Sequence, residues 1–201
     1  MKKLIIILSI LILVACSTFA GEMHVIRLKS IVESKSPIFV LKAGLTPDSF
    51  DRAVSDAETD YLLNWETVEK SIKEEDVVVY FEVVQRGDAK EVGQKYSLTI
   101  EASEMSLGFN EDGSVLAPGA EIYKTPKGKV SNVTAMSTER AVVAVSNVKT
   151  IASDSATIVA EYHGLVNDGT AIAKFTVTWP KDIDAPDGIY QASVILKVSQ
   201  Q

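Results

Sequence analysis

From Asp76 to the end of the chain, apolar and polar residues alternate with a period of two, in short blocks separated by turn residues. Successive side chains of a β-strand fall on opposite faces, so this repeat is that of strands with one face buried. "KYSLTIEA" (95–102) sets Tyr96, Leu98, Ile100 and Ala102 against Lys95, Ser97, Thr99 and Glu101. "SATIVAEY" (155–162), "AIAKFTVTW" (171–179) and "IYQASVILKV" (189–198) repeat the pattern. "VVVYFEVV" (77–84) and "RAVVAVSNV" (140–148) are continuous apolar runs, which predicts strands buried between two layers. "NEDG", "PKG", "NDG" and "PDG" punctuate the blocks. Few of the intervening segments have room for a crossover helix, which argues against a parallel α/β fold. The pattern predicts a mainly β chain: an Ig-like antiparallel β-sandwich. Its last two strands, 171–179 and 189–198, are expected to pair as a hairpin.

One segment breaks the period. In residues 46–76, Thr46-Pro47-Asp48 has the form of a helix start: an N-cap, a proline at the first position and a first-turn acid. Tyr61, Trp65, Val68 and Ile72 then recur at helical spacing. A short helical insertion over one end or edge of the sandwich is expected there, with Trp65 sealing the core. Ahead of it, 24–32 and 37–41 read as extended.

The first twenty residues read as an export signal. Lys2 and Lys3 precede the apolar run "LIIILSILILVA" (4–15). Twelve apolar residues are too few to cross a hydrocarbon layer of about 30 Å at about 1.5 Å per helical residue. Two cuts fit. "LVAC" (13–16) has the form of a bacterial lipobox, which would leave 1–15 as the signal and a lipidated Cys16 as the new N-terminus. Thr18 and Ala20 instead suit ordinary cleavage before Gly21, giving a 1–20 signal and a single domain over 21–201. The location implied is the bacterial cell envelope or surface, periplasmic or outer-membrane anchored if Cys16 carries lipid. The domain past Ala20 has no cysteine, so packing alone must hold it. It carries 18 basic against 27 acidic residues, which argues against nucleic-acid partners. Membrane contact is expected only through a lipid on Cys16.

Residues suited to catalysis are few. His24 and His163 are the only histidines, without the spacing of a zinc site. No G-x-S-x-G elbow occurs. "SNVK" (146–149) satisfies S-x-x-K, but residues three apart on a strand face opposite sides. No cofactor and no catalytic residue is expected, and the chain reads as non-enzymatic. Two loops remain as candidates. Asp182, Asp184 and Asp187 gather oxygens of the kind that bind Ca²⁺, although Asp187 falls one place late for an EF-hand pattern. Arg86, Gly87 and Asp88 form an adhesion tripeptide where a hairpin tip is expected.

The closing stretch "PDGIYQASVILKVS" resembles the closing motif of bacterial fimbrial subunits of the alpha-pilin type: a glycine, an aromatic two places on, an alternating strand and a stop. The matching positions are Gly188, Tyr190, Ala192, Val194, Leu196 and Val198. The resemblance implies a structural or adhesive surface protein that assembles by strand donation. Its partners would be other copies of itself or other pilus subunits. Residues 23–34 would be the donor strand, with Ile26, Leu28 and Val32 as the inserted side chains. The alternative is a self-contained envelope lipoprotein, with 24–32 as the first strand of its own sandwich, that binds a host or envelope protein or a ligand.

Mass spectrometry of the mature N-terminus separates the two cuts. Lipobox processing predicts a diacylglyceryl group on Cys16 that Cys16→Ser abolishes. Ordinary cleavage predicts a chain starting at Gly21 and indifferent to that substitution.

Overall fold

The computed structural model describes residues 25–33, 39–50, 52–53, 61–64, 72–86, 93–110, 114–138, 141–146, 155–164 and 166–201. Among these there are thirteen strands in two sheets: β1 Val25–Glu33, β2 Phe39–Gly44, β3 Arg52–Ala53, β4 Tyr61–Asn64, β5 Val77–Gln85, β6 Lys95–Ala102, β7 Glu104–Phe109, β8 Lys124–Lys127, β9 Lys129–Ala135, β10 Ala141–Ser146, β11 Ser155–Tyr162, β12 Ala171–Trp179 and β13 Ile189–Gln200. The first sheet runs β10-β11-β6-β13-β1-β4, with β7 paired to β13 and β8 to β7. The second runs β3-β2-β5-β12-β9. Every pairing is antiparallel except β1 on β13, which is parallel.

The alternating blocks become strands with one face in the core. β6 and β11 bury every second residue, and Leu98, Ile100, Ile158 and Ala160 are fully buried. β5 alternates as well: Val77, Val79, Phe81 and Val83 are buried, whereas Val78, Tyr80 and Glu82 are only half-buried. Its continuous apolar run therefore marks high strand propensity, not burial on both faces. Aromatic pairs pack in the core, one of them between the layers. Phe39 of β2 meets Tyr96 of β6 edge-on at 5.7 Å, and Tyr96 meets Tyr162 at 5.8 Å. Phe81 and Phe175, cross-strand partners on β5 and β12, stack at 5.0 Å.

Three expectations are corrected. The described part of 46–76 is not helical. Thr46 and Ser49 form a bridge around a turn at Pro47-Asp48, β3 pairs with β2, β4 pairs with β1, and Ile72–Glu74 is a turn. Proline and aspartate serve a turn as readily as a helix start, and the strand pairing overrides the helical spacing. Trp65 lies outside the described residues. The last two strands are not a hairpin either. β12 belongs to the second sheet and β13 to the first, so residues 180–188 carry the chain across the sandwich. β5 and β6 likewise lie in different sheets, so Arg86 follows a strand on a crossing connection, not a hairpin tip.

One polar contact between the two sheets centres on Ser103. β6 and β7 run along the same side of β13, separated by Ser103. Ala102 pairs with Val194 and Ser106 with Gln191, so this side carries one residue more than β13, as at a β-bulge. The Ser103 N–H donates to Ser193 O at 2.9 Å, and its Oγ accepts from Ser193 N at 2.9 Å. Ser103 O is left for the other layer. It accepts from Gly128 N at 3.0 Å and from the indole Nε1 of buried Trp179 at 2.8 Å. Gly128 is where the chain passes from β8 in one sheet to β9 in the other. A Cβ there would lie 2.7 Å from Trp179 Cε2 and 2.9 Å from Val177 Cγ1.

Gly128→Ala should therefore lower stability by about 1–3 kcal/mol through overpacking, or roughly 2–4 °C of melting temperature per kcal/mol. Calorimetry reads this, and an unchanged melting temperature would contradict the contact.

Candidate functional site

The candidate site is built around β13, beginning at its N-terminal corner. Gly188 has φ 149°, and a Cβ there would lie 2.5 Å from Leu107 Cδ1 and 2.6 Å from Phe109 O. Only glycine lets the loop 180–188 come this close to β7. Two residues on, Tyr190 is fully buried and its hydroxyl donates to Pro186 O at 2.6 Å, which closes the loop onto the start of its own strand. Burial, followed by Tyr123, Asp182 and Asp187, raises the Tyr190 phenol well above its ordinary value, so it remains a donor.

Along the seam, β1 lies on β13 of its own chain in unbroken register, from Val25 opposite Ile189 to Glu33 opposite Lys197. Ile26, Leu28 and Val32 take the register positions of Tyr190, Ala192 and Leu196, all buried on β13. The positions expected to insert are thus those beside the core row. On its other side β1 has a shorter partner, from Arg27 opposite Asn64 to Ser30 opposite Tyr61.

The aspartates beside the corner act separately. Asp182 Oδ2 accepts from the Tyr123 hydroxyl at 2.7 Å, and its Oδ1 accepts from Asp184 N at 3.2 Å. Asp187 Oδ1 takes Lys73 Nζ at 2.7 Å. The loop is bound to Tyr123, just before β8, on one side and to the 72–76 turn on the other, where Asp182 N donates to Ile72 O at 2.8 Å. Among the described residues no three histidine, cysteine or acidic side chains are placed to hold a metal ion. The sequence cluster is a set of turn and capping contacts. Of the adhesion tripeptide, Arg86 is exposed, and Gly87 and Asp88 lie outside the described residues, as does Cys16.

The bulge opens a concavity of about 410 Å³, lined by Glu101, Ala102, Ser103, Glu104, Lys127, Ser155 and Ile195. Its polar groups are largely engaged. Glu101 pairs with Lys197 at 2.7 Å and Glu104 with Lys124 at 3.2 Å. A backbone hydrogen bond, then Lys124, holds the Glu104 carboxyl below the ordinary range. Ser103 Oγ donates to Glu104 O at 2.7 Å, so its proton is committed to the backbone. His163 lies at the far end of β11, 3.9 Å from Glu161. The described residues therefore bring no nucleophile to a base here.

Sequence reasoning missed β7, although Met105, Leu107 and Phe109 alternate and Met105 and Leu107 are buried. It also missed Tyr123, whose role depends on a partner 59 residues away and leaves no local pattern.

Comparison with known families finds no family model that matches the chain, and comparison with curated proteins finds no match. The Tyr123–Asp182 contact beside the corner has its own pH signature. The hydrogen bond to Asp182, then burial and the charges of Asp182 and Asp184, push the Tyr123 phenol up to about 12 from 10.0. Between pH 10 and about 12 the unfolded chain gives up that proton and the folded chain keeps it. Stability from this phenol is complete below pH 10 and is lost as pH rises through about 12. Chemical denaturation across that range should show a fall that Tyr123→Phe reduces; an identical fall in the variant would contradict the contact. Tyr190→Phe should cost about 0.5–1.5 kcal/mol for its lost hydrogen bond.

Proposed function

We propose that this chain is an exported, non-enzymatic surface protein of fimbrial-subunit type: an Ig-like β-sandwich whose β1–β13 seam joins copies by strand donation. The observation that carries the reading is the parallel register of β1 on β13 over nine rungs. β1 leads to β2 only through residues 34–38, and its other neighbour holds it by four rungs. If it were displaced, β13 would offer a free backbone edge beside buried Tyr190, Ala192, Val194 and Leu196. The β1 of a second copy has the same side chains and backbone groups and fits the same register. The two facing sheets and the Tyr190–Pro186 corner support the Ig-like description, since a tyrosine bonded back to upstream backbone marks such sandwiches. The engaged hydroxyl of Ser103 and the paired glutamates at the bulge support a role without catalysis.

A second reading rests on the same pairing. β1 already fills the slot in its own chain, which favours a self-contained envelope lipoprotein that binds a partner.

Cysteines placed at Lys29 and Ser193 separate the readings. These positions are register partners on adjacent strands, and a spacing of about 4.8 Å lies within disulfide reach. In a Cys16→Ser background, oxidation at high protein concentration should give disulfide-linked ladders on non-reducing gels. Closed monomers at every concentration would replace strand donation with the self-contained module.

A further inference from the structure

Four large apolar side chains are exposed among the described residues: Leu45 at 37%, Val115 at 76%, Ile122 at 55% and Ile183 at 72%. The topology brings all four to one end of the sandwich. The β7–β8 loop carries Val115 and Ile122, and the β12–β13 loop carries Ile183. The hydrogen bond from Tyr123 to Asp182, at 2.7 Å, sets Ile122 and Ile183 on either side of a single contact. Val115 is held at the same end by its bridge to Phe109, the register partner of Ile189. Leu45 follows Gly44, opposite Tyr80 near the start of β5, whose Val77 pairs with Trp179 at the end of β12.

This end is also strongly acidic. The described residues of its three loops, 72–76, 114–123 and 180–188, hold seven carboxylates and two lysines. One lysine, Lys73, is paired with Asp187. Single exposed apolar residues scattered over a surface need no explanation, but these four lie at one end, where the described loop carboxylates outnumber the lysines seven to two. The tertiary contacts fix the loops beneath, so the apolar tips are presented on a braced base: Tyr123 on Asp182, Asp182 N on Ile72 O, and Tyr190 on Pro186.

We infer that this end is a docking surface for a cationic protein segment that carries apolar side chains. Charge complementarity selects the occupant. The excess of carboxylates attracts lysine and arginine and repels the anionic headgroups of a bilayer, and the exposed aliphatic tips supply the area to be buried. The surface uses none of the β1–β13 pairing, so it stands or falls apart from the strand-donation reading.

The probe is a fluorescein-labelled peptide of alternating lysine and leucine, titrated by anisotropy against the full mature protein. The controls are an alternating glutamate–leucine peptide and phosphatidylglycerol-containing vesicles. Saturable binding of the lysine–leucine peptide is expected, weakened by salt. Ile122→Ser with Ile183→Ser should weaken it by about tenfold or more. Glu121→Lys with Asp184→Lys should weaken it more than Glu161→Lys with Asp168→Lys, which changes net charge equally at residues of the opposite end. Circular dichroism confirms that each variant is folded, and the charge pair tests the surface even if the serine pair is not. Absent binding, binding unchanged in both the apolar and charge variants, equal effects of the two charge pairs, or stronger binding to the vesicles than to the lysine–leucine peptide would each overturn the inference.

Discussion

The fold depends on the double-sided pairing of β13. One edge meets β7 and then β6, from Ile189 opposite Phe109 to Gln200 opposite Tyr96. The other meets β1 over nine residues. Its inward row contains Tyr190, Val194 and Leu196, all fully buried, so the strand supplies core surface and backbone pairing together. Long-range pairing of this kind is costly to establish, because residues far apart in sequence must meet before any hydrogen bond forms. The corner at Gly188 and Tyr190 reduces that difficulty locally by fixing where the strand begins.

Ser103 links this strand to the second layer. The bulge turns one backbone carbonyl away from its own sheet, and that carbonyl holds both Gly128 and Trp179. An unpaired carbonyl or indole N–H at this depth would cost about 1–3 kcal/mol. The polar contact therefore specifies how the sheets sit, while the apolar rows around it supply most of the driving force.

The strands with clear alternation were legible in the sequence. Residues 95–102 and 155–162 become β6 and β11 with those bounds, and 171–179 becomes β12. Alternation shows which face is buried but not which sheet a strand joins. That is why β12 and β13, adjacent in sequence and similar in pattern, suggested a hairpin and instead lie in different sheets. The segment 46–76 misled for a different reason. Pro47-Asp48 and the spacing of Tyr61 and Ile72 satisfy local helix rules, and the pairing of Tyr61–Asn64 with β1 overrides them. At the site, the resemblance of the closing motif singled out Gly188 and Tyr190, which form the corner, and named Ile26, Leu28 and Val32 as donor positions without locating the strand that would receive them. It gave neither β13 as the neighbour of β1 nor the parallel sense of that pairing. The partners that Asp182 and Asp187 take, Tyr123 and Lys73, are distant in sequence and leave no local pattern.

Strand donation requires that β1 be able to leave β13. Parallel pairing is slightly weaker per residue than antiparallel, and β4 backs only four of its residues. Hydrogen–deuterium exchange resolved along the backbone tests this most directly. Amides of Val25–Glu33 should exchange by a local opening at least about tenfold faster than those of Lys95–Ala102, an opening about 1.4 kcal/mol easier than that of the central strands. Equal protection of the two strands, with both exchanging only when the whole domain unfolds, would make β1 a permanent part of its own sandwich and contradict the account.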